Sequence, residues 1–406
     1  MEQILEQYGR VTIYMEASHP APMYYVDGEI EANPYGNLAV LLEDDNLEEV
    51  MYNGGAQCVK VAHRDHGMCR TNIWLDDANG LEVSRNIASF TSVPLGDGPG
   101  LVPLFDGRLP DGSRVNGTIP PVSPDGPTLT IRKFREDPLT MIDLIKFGTV
   151  NLRLAAMMWV WIEGIDSRPA NFVIAGGTGS GKTTTLNCLG MYIPWHKRLL
   201  TVEDTAELQV YHDRWLRMET RRERPDGTPA VDMNDCLKSS LRMRPDRIIV
   251  GEVRGEEALD LIQVMNTGHD GSMGTVHANN ALDACTRLET LCLMGDTKIP
   301  AEAIRKMVGS AMQVIVQCSR YHDGGRRTAS ISEIIGLDEH GNYVCKDIFK
   351  WIQTGKDPET GKYIGEMVPC NYVPSFFEDI IVNKLPFPKA NFIAPDWVKN
   401  LKKEAA

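Results

Sequence analysis

A glycine-rich segment constrains the fold of this chain more than any other part of its 406 residues. It reads NFVIAGGTGSGKTTTLN, with an apolar run before the glycines and a helix-forming run after them. Glycines at this spacing let successive backbone N–H groups point at one anion, and the start of the following helix adds favourable dipole charge. The pattern GxxxxGK[ST] between a strand and a helix therefore predicts a phosphate-binding loop, and the flanking segments disfavour a chance glycine turn.

This pattern, the Walker A motif of P-loop NTPases, predicts a specific role for each side chain in the loop. We expect Lys182 to reach the β- and γ-phosphates and the hydroxyl of Thr183 to ligate Mg²⁺. The other predicted nucleotide contacts are Gly177, Thr178, Gly179, Ser180, Gly181 and Thr184. The predicted cofactors are accordingly ATP and Mg²⁺.

Apolar strand patterns alternate with helical patterns from residue 150 onwards. The predicted strands are 171–175, 199–202, 247–250 and 274–277, and the predicted helices are 152–163, one starting at 182, 232–242 and 256–266. Such alternation predicts an α/β fold in which helices cover a mostly parallel sheet. Two later strands, at 313–317 and 330–337, flank the sequence RYHDGGRR, which is typical of a hairpin loop.

The part of the chain before residue 135 has a different rhythm. Short alternating stretches are separated by glycine, proline and aspartate, and one helix is predicted at 81–90, which together indicate a small α+β domain. The predicted organisation has five parts: an N-terminal extension (1–44), the α+β domain (45–134), a linker (135–148), a motor domain (149–386) and a C-terminal tail (387–406).

Composition excludes several classes of protein. The net charge of −13 argues against a chain whose main role is to hold nucleic-acid phosphates. The most apolar run, residues 154–162, is much shorter than the roughly 20 residues of a membrane-spanning helix. No secretory signal is recognisable, and nine cysteines without a CxxC pair indicate reduced thiols in a cytosol. Any membrane contact is therefore expected to come through a partner.

Acidic residues follow two of the predicted strands. Glu203 and Asp204 come just after one of them, and Gly251 and Glu252 end another. The second nucleotide motif of P-loop enzymes usually ends in Asp-Glu, so Gly251 replaces the carboxylate expected near Mg²⁺. We expect Glu203 or Asp204 to supply that charge and Glu252 to orient or deprotonate the attacking water. The alternative is that these are solvated strand-end carboxylates.

Histidines and cysteines raise the question of a metal site. His277 is interpreted as a polar group beside the γ-phosphate, and His269 as a structural or coupling residue, because eight residues across a glycine turn is not a recurrent ligand spacing. A second group, Cys58, His63, His66 and Cys69, has the ligand count for zinc. A β-hairpin there would put neighbouring side chains on opposite faces, so no zinc site is favoured.

Four segments in fixed order resemble a known group of proteins. GGTGSGKTT, VEDTAEL, RPDRIIVGEVRGEEA and TGHDGSMGTVHAN together resemble the type II/type IV secretion ATPase superfamily. The longer stretch that begins LRMRPDRIIVGEVRGEEALDLIQVMNTGHDG is similar to the Tad/CpaF branch, which drives assembly of Tad-type (Flp-like) type IV pili. The resemblance covers about residues 45–385 and is most specific within 170–335.

The resemblance implies a RecA-like motor domain with a smaller N-terminal domain, in a homohexameric ring that binds ATP between neighbours. It also implies that arginines of the N-terminal domain approach the phosphates, and Arg114 and Arg132 occupy the matching positions; ordinary surface ion pairs are the alternative. Five further arginines near the acidic segments are candidates for nucleotide contact: Arg217, Arg221, Arg242, Arg244 and Arg254.

The function that the resemblance implies is that of a cytoplasmic ATP hydrolase. It would lie peripherally at the inner membrane and act on an integral platform protein, without direct contact with nucleic acid. One alternative is a hexameric DNA-translocating ATPase of conjugation or uptake, against which the acidic charge and the lack of an aromatic and basic stripe weigh. The other is a weakly hydrolysing ATP-binding assembly scaffold. This alternative stays open because Gly251 replaces the carboxylate that hydrolysing P-loop enzymes usually have there.

Overall fold

The computed structural model describes residues 3–28, 33–91, 93–135, 137–164, 168–223, 227–295 and 297–398. The chain divides into two compact units, Met1–Asp137 and Pro138–Ala406. In the described residues, no helix combines the length and the apolar character needed to cross a bilayer.

The first unit is built on a nine-stranded sheet. Its strands are β1 (Gln3–Tyr8), β2 (Val11–Met15), β3 (Met23–Val26), β4 (Leu47–Asn53), β5 (Gln57–His63), β6 (Gly67–Leu75), β7 (Leu104–Arg108), β8 (Arg114–Thr118) and β9 (Thr128–Arg132), and its helices are α1 (Ala39–Leu42) and α2 (Asp77–Thr91). The strand order is β1-β2-β3-β6-β5-β4-β9-β8-β7, with β3 parallel to β6 and the other neighbours antiparallel.

Residues 3–26, set apart in the sequence as an extension, contribute three strands to this sheet. Val11, Ile13 and Tyr24 are buried in the same apolar cluster as β5 and β9. The alternation of buried and more accessible residues along β2 is that of a strand with one face on a core. The segment is short and interrupted by turn residues, which is why its pattern is weak in the sequence.

The second unit contains a nine-stranded mixed sheet with helices. Its strands are β10 (Phe172–Gly176), β11 (Leu199–Glu203), β12 (Trp215–Glu219), β13 (Arg247–Val250), β14 (Met273–Val276), β15 (Val314–Arg320), β16 (Arg326–Leu337), β17 (Tyr343–Lys356) and β18 (Tyr363–Pro369). Its helices are α3 (Met141–Lys146), α4 (Leu152–Glu163), α5 (Lys182–Gly190), α6 (Met233–Ser240), α7 (Glu257–Asn266), α8 (Ala281–Met294), α9 (Ala301–Ala311) and α10 (Phe377–Val382).

The sheet of the second unit has the order β12-β11-β13-β14-β10-β15-β16-β17-β18. The first six strands in this order run parallel to one another, and β16, β17 and β18 continue the sheet as an antiparallel meander. Alternate residues of β10 point into two different apolar clusters, Phe172 and Ile174 into one and Val173 and Ala175 into the other. Both faces of the central strands are therefore covered, as parallel sheets require.

Two segments at the borders of the predicted motor domain pack into the second unit. Helix α3, which begins with a capping box between Thr140 and Asp143, buries Met141 and Leu144 in the same cluster as β10. Near the other border, Phe392 is fully buried against that cluster. Residues 138–148 and 387–398, set apart in the sequence as linker and tail, thus bury apolar side chains here.

Candidate functional site

The carboxyl ends of the parallel strands β10, β11, β13 and β14 lie at one edge of the sheet, where α/β proteins bind their ligands. The glycine-rich loop joins the end of β10 to α5 at this edge. A Cβ atom at Gly176 would lie 2.4 Å from the carbonyl oxygen of Cys318. Gly179 and Gly181 have φ angles of +68° and +91°, which favour glycine. The loop conformation therefore depends on glycine at these positions.

Lys182 is buried at the first position of α5. Its Nζ donates a hydrogen bond to the carbonyl of Gly177 at 3.0 Å and lies 3.4 Å from Nε2 of His277. Burial lowers the pKa of the Lys182 ammonium, and the negative charge of Glu252 partly opposes that shift. The loop thus holds a cation against its own backbone, in reach of the carboxylate and the imidazole at the ends of β13 and β14.

Glu252, His277 and Arg254 form a connected polar group. Oε1 of Glu252 lies 2.8 Å from Nε2 of His277, and Oε2 accepts a hydrogen bond from the Arg254 guanidinium. Burial alone would raise the pKa of Glu252, but the Arg254 hydrogen bond and the charges of Arg254, His277 and Lys182 outweigh it and lower that pKa. Glu252 is therefore an oriented, ionised carboxylate at neutral pH.

Glu203 occupies the space that a side chain at position 251 would need. A Cβ atom on Gly251 would lie 2.9 Å from Cγ of Glu203. Oε1 of Glu203 accepts hydrogen bonds from the backbone N–H groups of Glu207 and Leu208, both at 2.9 Å. The structure thus places the Glu203 carboxylate beside the position where the second nucleotide motif usually has its aspartate.

The second oxygen of Glu203 bears on whether this site fits Mg²⁺. Oε2 is buried and finds no hydrogen-bond partner within the described parts of the chain. Burial raises the pKa of Glu203, against the lowering effect of the two backbone hydrogen bonds. A hard cation prefers carboxylate oxygen and would favour the ionised form. The unpartnered oxygen of Glu203 fits a hard cation, whereas Asp204, half exposed, pairs with Arg254 at 3.5 Å; the Mg²⁺ roles of Thr183, Glu203 and Asp204 stay predictions.

Replacing Gly251 with alanine is expected to destabilise the second unit by about 1–3 kcal/mol, the usual effect of overpacking. The measurement is urea unfolding, with Gly355→Ala as the matched control, because a Cβ atom at Gly355 meets nothing within 4 Å. The double variant Gly251→Ala/Glu203→Ala removes the clashing Cγ and should recover part of the loss. Strictly additive losses in the double variant would show that the Glu203 contact is not the cause.

The two predicted histidines lie at opposite ends of β14. His277 follows the carboxyl end of β14, beside Glu252, whereas His269 precedes the strand. The carbonyl oxygen of His269 accepts a hydrogen bond from Ser272 Oγ at 2.6 Å. These placements agree with a site role for His277 and a structural role for His269, which both stay predictions.

Arg114 and Arg132 lie in the first unit, opposite each other on the neighbouring strands β8 and β9. Arg108 on β7 is in turn opposite Arg114, so the register gathers three guanidinium groups on adjacent strands.

Of the five further arginines, Arg254 contacts Glu252, Arg217 packs over the Trp215 ring at 4.8 Å, and Arg221 binds the carbonyl of Pro229. The nucleotide roles of these arginines stay predictions.

The Cys-His group of β5 and β6 is not assembled as a four-ligand site. The register pairs Cys58 with Trp74 and Cys69 with Val61, which sets the two thiols far apart along the strands. His63 and His66 do lie together, and Glu6 joins them through its 2.7 Å contact with His66 Nε2. Nδ1 of His63 accepts hydrogen bonds from two backbone N–H groups, so that nitrogen is already occupied.

Sequence reasoning missed the residues that β15 brings to the loop. Gln317 and Arg320 line a cleft with Gly177, Thr178 and Ser180. They come some 140 positions after the loop, and only the pairing of β15 with β10 makes them neighbours. The signal that could have found them is the polar end of the predicted strand 313–317.

Comparison with known proteins places the glycine loop and the neighbouring acidic residues within a region that matches a known protein family. A family model described as type II/IV secretion system protein matches residues 101–343. An uncharacterised protein of Methanocaldococcus jannaschii is 52% identical over 241 residues, which are 59% of this chain and 33% of that protein. The conjugal transfer protein TrbB of Rhizobium radiobacter is 34% identical over 309 residues, covering 75% of this chain and 88% of TrbB. The chain thus spans a third of the archaeal relative's length.

A solved structure shares the fold. The X-ray structure of the Legionella pneumophila ATPase DotB matches with a TM-score of 0.50 at 19% identity, covering 75% of this chain and 80% of DotB. The predicted fold class, an α/β RecA-like P-loop unit with a smaller α+β unit, is confirmed.

Proposed function

Because this chain belongs to the type II/IV secretion system protein family, we propose that it is an ATPase motor that powers assembly of a Tad/Flp-like type IV pilus or secretion of pilin-like substrates. The observation that carries the proposal is one contiguous site. The glycine loop, Lys182, Glu252 and His277 meet at the carboxyl edge of a parallel sheet. In a P-loop enzyme such groups bind a triphosphate and position water for attack on its γ-phosphate.

Each side chain of the proposed site has its own role in ATP hydrolysis. Lys182 neutralises charge on the β- and γ-phosphates, and the ionised Glu252 orients a water molecule and accepts its proton. His277 and Arg254 hold that carboxylate in place from two sides. Mg²⁺, held by Thr183, Glu203 and Asp204, would supply charge stabilisation for the transferring phosphoryl group.

The motor part of the proposal concerns assembly. We propose a homohexamer in which Arg114 and Arg132 approach the γ-phosphate, since an arginine finger accelerates phosphoryl transfer by about 10³–10⁵. Binding and hydrolysis at subunit interfaces would then change the angle between the two units within each subunit. The proposed partner is an integral inner-membrane platform protein, and the proposed location is the cytoplasm, with membrane contact through that partner.

A second candidate function has a specific observation in its favour. TrbB, which covers three quarters of this chain, is a conjugal transfer protein, so a DNA-translocating ATPase is an alternative. A net charge of −13 disfavours it, because gripping a polyanion calls for a basic surface.

Phosphate release by the purified chain distinguishes the two candidates. We expect ATP hydrolysis that is unchanged by added single- or double-stranded DNA and by nuclease treatment, and that rises when the platform protein is supplied in lipid. Arg132→Gln should lower the rate, whereas Arg287→Gln, on the exposed surface of α8, should not. Severalfold stimulation by DNA would favour the conjugation function, and no hydrolysis even with the platform protein would contradict the motor.

A further inference from the structure

The hairpin between β15 and β16 adjoins the glycine loop, and the roles assigned above do not use it. It carries the sequence RYHDGGRR, in which Arg320 ends β15 and Arg326 begins β16, directly opposite in register. In the sheet, β15 lies on one side of β10, and β14 and β13 lie on the other. Arg320 therefore approaches the loop from the side opposite to Glu252 and His277.

Both arginines lie close to the glycines of the loop. Nη1 of Arg320 is 3.6 Å from the point where a Cβ atom on Gly179 would stand. The aliphatic stem of Arg326 is 3.8 Å from the corresponding point at Gly181. The Arg320 guanidinium therefore lies beside the loop backbone, so it and the loop N–H groups can face the same anion.

Gln317 gives an independent indication that a ligand enters this cleft. The residue is 4% exposed, and its Nε2 donates to the carbonyl of Ala278 at 3.1 Å. Its Oε1 finds no donor among the residues that the structure describes. Buried polar atoms are nearly always hydrogen-bonded, so this oxygen calls for a donor. Phosphate oxygens only accept, so the donor would be a ribose hydroxyl, a base amine or a water molecule that accompanies the nucleotide.

The hairpin is rigidly held. Arg327 pairs with Asp323 at 2.7 Å, and their side chains are only 13% and 3% exposed. The Arg327 guanidinium also packs on the rings of Tyr321 and Trp351, at 5.2 Å and 5.1 Å. The backbone N–H of Tyr363 on β18 donates to Asp323 as well. A loop fixed in this way presents Arg320 without a cost for ordering the hairpin itself at the moment of binding.

We propose that Arg320 binds the α-phosphate of the nucleotide, with Gln317 completing a second wall of the site. This inference rests on the proposed function, because it takes the γ-phosphate to lie toward Glu252 and His277. The remainder of the nucleotide then extends to the β15 side of the loop. A guanidinium suits this role because its parallel N–H donors match two phosphate oxygens.

Equilibrium binding of ADP and of the slowly hydrolysed analogue ATPγS to the purified full chain tests this proposal. Arg320→Gln should weaken both by a similar factor, about ten- to a hundredfold for the loss of hydrogen bonds to a charged group. ADP and ATPγS share the α- and β-phosphates, whereas a contact with the γ-phosphate would weaken ATPγS alone. AMP carries the α-phosphate alone, so its affinity should fall by the same factor, and a β-phosphate contact would leave AMP binding unchanged. Arg320→Lys keeps the charge but loses the two parallel donors, so its affinities should fall between those of the wild type and Arg320→Gln.

Arg287→Gln is the matched control, since it removes an exposed arginine of the same unit, and its affinities should equal those of the wild type. Unfolding curves establish that each variant is folded; if Arg320→Gln is not, Arg320→Lys carries the test. Affinities of the folded Arg320 variants equal to the wild type, or a loss confined to ATPγS, would overturn the assignment. A wild-type chain that binds neither nucleotide would instead overturn the proposed function itself, so the two failures are distinguishable.

Discussion

Replacing Lys182 with alanine is expected to lower the rate of ATP hydrolysis by about a hundred- to a thousandfold, the effect of removing one charged donor from a preorganised site. The ammonium lies on the loop, hydrogen-bonded to Gly177 and near Glu252. Lys182 is the buried lysine among the described residues. The measurement is phosphate release at saturating ATP.

The same variant should remain folded. Burial lowers the pKa of Lys182, which means that the folded chain disfavours the charged ammonium relative to water. Alanine removes this desolvation cost. Lys306→Ala is the control, because Lys306 forms an exposed ion pair with Glu302 within α9, and such pairs contribute little to stability. Retention of full hydrolysis by a folded Lys182→Ala variant would show that the chemistry occurs elsewhere.

Replacing Glu252 with glutamine should reduce hydrolysis by about 10²–10⁴, the range for loss of a general base, while ATP still binds. The amide keeps the shape of the side chain and can still accept from Arg254, but it cannot take a proton from water. Phosphate release and ATP affinity, measured on the same preparation, separate the two effects. This variant therefore distinguishes a hydrolysing motor from an ATP-binding scaffold.

Glu378→Gln, a neutralisation on the exposed surface of α10, is the control for the change in net charge. It should hydrolyse ATP at the wild-type rate. A Glu252→Gln variant with undiminished phosphate release would remove Glu252 from the chemistry and favour the scaffold. A variant that no longer binds ATP would assign Glu252 to binding rather than to water activation.

The strand-turn-helix conformation of the glycine loop could be predicted because its information is local. Strand, turn and helix signals lie within 17 consecutive residues, and the conformation needs glycine at Gly176, Gly179 and Gly181. The pairing of Glu203 with Gly251 could be anticipated only as an electrostatic substitution. The two residues are in contact because β11 lies beside β13, and a single sequence does not reveal that pairing.

Other features escaped prediction for the same reason. Gln317 and Arg320 reach the loop through strand pairing across 140 residues, and β17 and β18 extend the sheet without a signal that sequence reasoning used. Residues 3–26 have polar, turn-rich surroundings, yet Ile13 and Tyr24 are fully buried. A weak local pattern becomes a strand there because a neighbouring strand supplies its partners.

The Glu203 carboxylate also links the proposed cation site to the chain segment that follows β11. One oxygen accepts hydrogen bonds from the backbone of Glu207 and Leu208, and the other, which has no hydrogen-bond partner among the described residues, is the one proposed to bind Mg²⁺. A cation that draws on this carboxylate changes the strength of both backbone hydrogen bonds. By thermodynamic reciprocity, a rearrangement of residues 204–208 that alters these hydrogen bonds would also alter the affinity of the proposed site for a cation. Displacement of this segment and metal binding at the proposed site would thus be thermodynamically coupled.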